Sequence, residues 1–148
     1  MKLRAIAFAC LAVACLAVSG CGGQKSSPGV EVALVPPGLK SPFHTQTVMG
    51  ARAVAKELGW QLTVQAPDKE TDFNGQIGIV DGMIARKVRA ISICAINDKA
   101  IGEAILNANQ KDIPIFVHNS LTPVADGKVT EYIGYNQFEG GRKCGLHA

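Results

Sequence analysis

The sequence predicts an α/β fold built on a parallel sheet, and three observations carry that prediction. From Val30 onward, short β-branched runs alternate with longer stretches of helical periodicity, the order that a parallel sheet with crossover helices produces. Residues 90–94, Ala-Ile-Ser-Ile-Cys, form a continuous apolar run, as a strand buried on both faces requires. Helix start and stop signals punctuate the intervals between the runs.

Residues 30–35 read as the first strand, stopped by Pro36, Pro37 and Gly38. A helix follows, with Ser41 at the N-cap, Pro42 at its first position and Gly59 just past Leu58, a placement that suits proline's fixed φ and glycine's freedom to turn left-handed. Val48, Ala51, Ala55 and Leu58 recur at helical spacing and form its packing face. Residues 61–66 read as the second strand and lead through an acidic, polar loop to Asp72. Phe73, Ile77, Val80, Ile84 and Val88 mark a second helix, in which Gly75, Gly78 and Gly82 each cost roughly 1 kcal/mol of propensity and point to close backbone packing. The third strand is residues 90–94. Asn97 stands where it could cap the next helix, whose face is Ile101, Ala104, Ile105 and Ala108. Residues 114–117 form the fourth strand, with Pro114 at its first position, where no ladder bond is lost, and residues 129–133 form the fifth. Asn136 and Glu139 have the spacing of a capping box that opens a final helix. About ten helical residues with nothing to pack against are marginal on their own.

Ahead of the fold, Lys2 and Arg4 precede an uncharged apolar stretch over residues 5–18, followed by Ser19 and Gly20. That is the layout of a secretory signal, too short to span a bilayer. The quartet Val18-Ser19-Gly20-Cys21 resembles a bacterial lipobox, which implies cleavage before Cys21 and acylation of its thiol. The domains expected are therefore a lipoprotein signal over residues 1–20, a flexible tether over 21–29, a ligand-binding lobe over 30–134, and a hinge with the first helix of a second lobe over 135–148. The Gly, Gln, Lys and Ser of the tether solvate well and pack poorly.

The chain of 148 residues carries 15 Lys and Arg against 12 Asp and Glu, and loss of the leader removes two of the positive charges. No nucleic-acid partner is indicated by so small an excess. Cys10 and Cys15 leave with the leader, and Cys94 and Cys144 do not make a disulfide framework. His44, His118 and His147 lie far apart in sequence, and no C-x-x-C or H-x-x-x-H occurs, so zinc-ligand spacing is absent. Neither G-x-G-x-x-G, G-x-x-x-x-G-K-[ST] nor G-x-S-x-G is found, which removes support for a dinucleotide, P-loop or serine-hydrolase reading. No cofactor is expected and an enzyme is disfavoured. In open α/β sheets ligands bind outside the carboxyl ends of the strands, so candidate residues are sought there: 36–44, 94–97, 118–121 and 134–136.

From Val30 to about Leu146 the chain resembles the N-terminal part of the ribose-binding-protein-like family of periplasmic sugar-binding proteins. The residues that carry the likeness are the Ser41-Pro42-Phe43-His44 helix start, the Ala55-x-x-Leu58-Gly59 helix end, residues 109–115 (Asn-Gln-Lys-Asp-Ile-Pro-Ile) entering the fourth strand, and residues 133–142, which resemble the family's crossover into its second lobe. The resemblance implies two Rossmann-like lobes closing on a small ligand, usually a monosaccharide, for delivery to an ABC permease, with the lipid-anchored protein facing the periplasm or the exterior. Aromatic faces stack on the sugar while fixed polar groups bond its hydroxyls.

On this resemblance the ligand-binding residues are Ser41, Phe43 and His44 from the first loop, Cys94 after the third strand, and Asn119 and Ser120 after the fourth, with Gly134 and Asn136 as hinge and helix cap. His44 stands where the family has a second aromatic. Asn119 and Ser120 stand where many members carry a charged Asp-Arg pair, and Cys94 where Asn is frequent, so a sugar or polyol other than ribose is implied. Another class of role, a sensory lipoprotein presenting a signal molecule to a membrane receptor, fits the same residues. The family also needs a full second lobe and a return segment completing the first, so this chain reads as a truncated form with apolar surface left uncovered and poor stability alone.

Overall fold

The computed structural model describes residues 29–148; the leader, Cys21 and most of the tether fall outside them. The elements run β1 (Glu31–Val35), α1 (Pro42–Glu57), β2 (Gln61–Val64), α2 (Phe73–Ala85), β3 (Ile91–Ile93), α3 (Gly102–Asn109), β4 (Ile115–His118), β5 (Glu131–Ile133) and α4 (Gln137–Leu146). All five strands are parallel, in the order β2-β1-β3-β4-β5. The expected α/β parallel sheet is therefore present, with strand ends shifted by a residue or two from the sequence pattern. The second strand stops at Val64, the third shortens to Ile91–Ile93, and the fourth gains His118, because pairing with the neighbouring strand, not side-chain type, ends a ladder.

Right-handed crossovers fix the layers. The step from β1 to β2 runs one way across the sheet, and the steps from β2 to β3 and β3 to β4 run the other way. Consequently α1 lies on one face while α2 and α3 pack together on the opposite face. Ala33, Val35, Ile91, Ile93, Ile115 and Val117 point into the second layer, against Val80 and Met83 of α2 and Ile101, Ala104, Ile105 and Ala108 of α3. The alternate residues Leu34, Leu62, Phe116 and Ile133 point to the α1 side, where together with Val54 they line an open apolar groove of about 390 Å³. Ile133 is 59% exposed there.

Three helices end in the same way. Gly59, Lys87 and Asp112 take φ of 66°, 58° and 55°, and the next amide reaches back to the helix: Trp60 N–H to Ala55, Val88 N–H to Met83 and Ile113 N–H to Ala108. Each left-handed residue reverses the chain into the following strand and satisfies carbonyls that the last helical turn leaves free. Only the first of the three is a glycine.

Several local expectations need correcting. Gly78 and Gly82 have open space where a Cβ would stand, so close packing does not explain them; Gly75 alone is crowded, by the Asp72 carboxylate, which caps α2 by accepting from the Gly75 N–H at 2.8 Å. Asn97 caps the turn ahead of α3, accepting from the amides of Lys99 and Ala100, and α3 itself begins at Gly102. Ser41 occupies the N-cap of α1 but makes no side-chain cap bond. Asn136 accepts from the Glu139 N–H at 3.0 Å, while the Glu139 carboxylate pairs with Arg142 instead of closing the box. No residue of α4 is buried.

Lys87 holds a left-handed conformation that costs a residue with a Cβ roughly 1 kcal/mol. Lys87→Gly is expected to stabilise the chain by about that amount, raising the melting temperature by about 4 °C, whereas Lys87→Ala should leave it unchanged. Circular-dichroism melts of the two variants check this.

Candidate functional site

The strand order reverses between β1 and β3, since α1 leaves β1 toward one face and α2 arrives at β3 from the other. The loops that follow these two strands diverge and open a crevice at their carboxyl ends. α1 brings Ser41, Phe43 and His44 to this edge, β3 brings Cys94, and β4 brings His118, Asn119 and Ser120. Phe43 is half exposed at the mouth and meets the His44 ring edge-on at 5.2 Å. His44 and Cys94 are both buried.

Asn119 ties the edge together. Its φ of 63° turns the chain out of β4, a conformation that Asn tolerates better than most side chains. Its amide donates to the Ile133 carbonyl at 2.7 Å, its carbonyl accepts from Gln137 Nε2 at 3.0 Å, and its side-chain nitrogen lies 3.9 Å from Cys94 Sγ. Ser120 uses its hydroxyl locally, accepting from the Thr122 N–H. Gly134 passes so close to the Ser120 backbone that a Cβ would sit 2.7 Å from its nitrogen.

Two residues at this edge were given no role from the sequence, although His118 lay within the candidate range 118–121. Gln76 of α2 is buried; its Nε2 donates to the Cys94 carbonyl and its Oε1 accepts from the Ile96 N–H, each at 2.9 Å. One side chain thereby replaces two ladder bonds and fixes the loop after β3. His118 ends β4 on the α1 face, where its Nδ1 lies 3.0 Å from Ser92 Oγ. The signal for His118 was parity: Ser92 and His118 are the polar residues on the same face of two adjoining apolar runs.

Among the described residues, the buried side-chain polar atoms without a partner are His44 Nδ1, His118 Nε2 and Asn119 Oδ1. All three belong to this edge. Such atoms are costly unless something else bonds to them. Burial first, and the neighbouring His44 second, pull the His118 pKa down to about 4, so its ring is neutral near pH 7. Burial pushes the Cys94 thiol up, against the lowering effect of the Asn119 contact, so it remains a thiol. The edge therefore offers a neutral His118 imidazole, the Cys94 thiol and the Asn119 amide beside an aromatic ring. Among the described residues no cluster of three or more His, Cys, Asp or Glu could hold a metal ion, and no helix is long and apolar enough to cross a membrane.

The parallel α/β lobe presents at its strand ends a crevice bordered by unpartnered polar atoms and one aromatic ring. The chain belongs to the periplasmic binding protein domain family, whose match covers residues 32–147. It is 28% identical over 114 residues to the ribose import binding protein of Haemophilus influenzae, an alignment that covers 77% of this chain and 38% of that protein. A crystal structure of an ABC transporter periplasmic solute-binding protein from Actinobacillus succinogenes with bound D-allose superimposes with a TM-score of 0.69 at 30% identity, over 75% of this chain and 40% of that one. A carbohydrate transporter solute-binding protein from Agrobacterium radiobacter in complex with D-arabinose gives 0.74 at 27%, over 80% and 39%. The chain thus spans about two fifths of the length of these relatives. These likenesses bear out the fold class and the family resemblance.

Gln76→Leu keeps the volume but strands a buried carbonyl and a buried amide. It is expected to cost about 2–4 kcal/mol, read from urea denaturation. For His118 the sign follows from proton counting. Between pH 6.5 and pH 4 the unfolded ring is protonated and the folded ring is not, so stability is full above pH 6.5 and falls as the pH drops toward 4, by up to ~3 kcal/mol. His118→Leu should flatten that window when denaturation at pH 7 and pH 5 is compared; an unchanged slope would refute the assignment.

Proposed function

We propose that this chain is the ligand-binding lobe of a solute-binding protein serving a bacterial ABC importer, and that it takes an uncharged monosaccharide or polyol between itself and a second lobe. The observation that carries the reading is the cluster of unpartnered buried atoms, His44 Nδ1, His118 Nε2 and Asn119 Oδ1, beside the half-exposed ring of Phe43. Hydroxyl groups can satisfy such atoms because each both donates and accepts, and the aromatic face suits the C–H face of a sugar ring. Ser41 and Ser120 border the same crevice. Ser41, Phe43, Asn119 and Ser120 carry no charge and burial keeps His118 neutral, so a neutral ligand is favoured over a carboxylate or a phosphate.

The mechanism is closure and release, without covalent chemistry. Gly134, pressed against Ser120, and Asn136, capping α4, stand at the crossing to the second lobe and act as the hinge. A protonated, buried Cys94 serves as packing and as a weak acceptor for Asn119. The protein works in the cell envelope, anchored through acylated Cys21, and hands its ligand to a membrane permease.

Calorimetric titration of the protein purified from its native envelope tests the reading. Among D-allose, D-arabinose, D-ribose, D-fructose, myo-inositol and ribose 5-phosphate, at least one neutral compound is expected to bind and the phosphate is not. Asn119→Leu should weaken that binding about tenfold, as loss of one buried hydrogen bond does. Preference for a charged ligand, or binding indifferent to Asn119, would overturn it.

A further inference from the structure

Ser92 is a polar residue in an apolar setting. Its register partners are Leu34 on β1 and Phe116 on β4, and it carries the only hydroxyl among the residues that line the groove on the α1 face. Neither neighbour offers its side chain a hydrogen bond. Ser92 does reach His118, two residues beyond Phe116 on the same face of β4, where Nδ1 lies 3.0 Å from Oγ. Among the described residues this is the one hydrogen bond that Oγ makes.

The contact decides where the imidazole proton sits. A neutral imidazole carries one N–H, and the nitrogen that accepts a bond leaves the proton to the other. Burial and then the neighbouring His44 hold the His118 pKa down at about 4, so the ring is neutral near pH 7. If Oγ accepted from Nδ1, the hydroxyl hydrogen would be stranded between Leu34 and Phe116. Donation from Oγ to Nδ1 uses that hydrogen, and the ring proton then belongs to Nε2, the His118 atom that is buried without a partner. We propose that Ser92 is a positioning residue that holds His118 in the Nε2–H tautomer, so that the crevice presents a donor at His118 next to an acceptor at Asn119 Oδ1. This rests on the ligand-binding reading of the crevice and sharpens it. The ligand places an accepting oxygen, from a hydroxyl, ring or carbonyl group, on His118 and a donating hydroxyl on Asn119. An ammonium group has no lone pair and cannot take the first place. His44 has no protein contact at Nδ1, so its ring is free to meet either a donor or an acceptor.

The test is nitrogen NMR at pH 7 on the full chain as the cell makes it, with isotope-labelled histidine and no added ligand. His118→Leu identifies the His118 signals by their loss. The parent chain is expected to show a protonated Nε2 and an unprotonated Nδ1 at His118. In Ser92→Ala the two tautomers should mix, and Ser92→Thr, which keeps the hydroxyl, should restore the single form. Calorimetry then follows whichever of D-allose, D-arabinose, D-ribose and D-fructose binds. Its affinity should fall about twofold in Ser92→Ala, as a ring competent in about half of the molecules requires, and recover in Ser92→Thr. A proton on Nδ1 in the parent chain, or a tautomer that Ser92→Ala leaves unchanged, overturns the proposal. Binding weakened equally by Ser92→Ala and Ser92→Thr overturns it too, since lost packing would then be the cause. The expected NMR signature with no sugar bound supports the tautomer assignment and counts against the ligand-binding reading alone.

Discussion

Everything at the crevice depends on the parity of β3 and β4. Ile91, Ile93, Ile115 and Val117 must face α2 and α3, because those helices supply the apolar partners that bury them almost completely. A strand alternates sides at every residue, so Ser92, Phe116 and His118 are forced to the α1 face. Shifting β3 by one residue would place Ser92 in the core and expose Ile91 and Ile93, and the same shift in β4 would turn His118 inward and expose Ile115 and Val117. The packing that stabilises the lobe thus also sets the position of the polar edge.

With parity fixed, the edge is completed by groups that hold the backbone in place. Gln76 reaches from α2 to bond the loop after β3, and Asn119 bonds β5 and α4 through its own backbone. Their geometry leaves three polar atoms buried and unpaired. Among the described residues the other buried side-chain polar atoms have partners, so these three stand available, and burial keeps His118 neutral. The result is an edge whose unpartnered atoms suit hydroxyl groups, on a chain that belongs to the periplasmic binding protein domain family.

The two faces and the two ends of the sheet are unequal. One face is closed by α2 and α3, while the other, beyond α1, keeps an apolar groove running to Ile133. One end is acidic around the crevice, and the other is basic where the chain enters β1. Both asymmetries follow from topology, since right-handed crossovers send α1 to one side and its successors to the other, and parallel strands gather all their starts at one end.

Strand and helix order, the parallel sheet and the family likeness were legible in the sequence, because β-branched runs, Pro42 and Gly59 act within a few residues of themselves. Ser41, Phe43, His44, Cys94, Asn119 and Ser120 could be named from motif order and strand-end position, but their partners could not. Gln76 looked like one polar residue on a glycine-rich helix, and His118 like the end of an apolar run. Lys87 and Asp112 showed no glycine to mark their left-handed turns. The tertiary structure alone decided these, because a buried amide spanning to a loop eighteen residues away, a neutral ring wedged between β4 and α1, and a charge gathered at one end of a sheet exist only once distant segments have packed together.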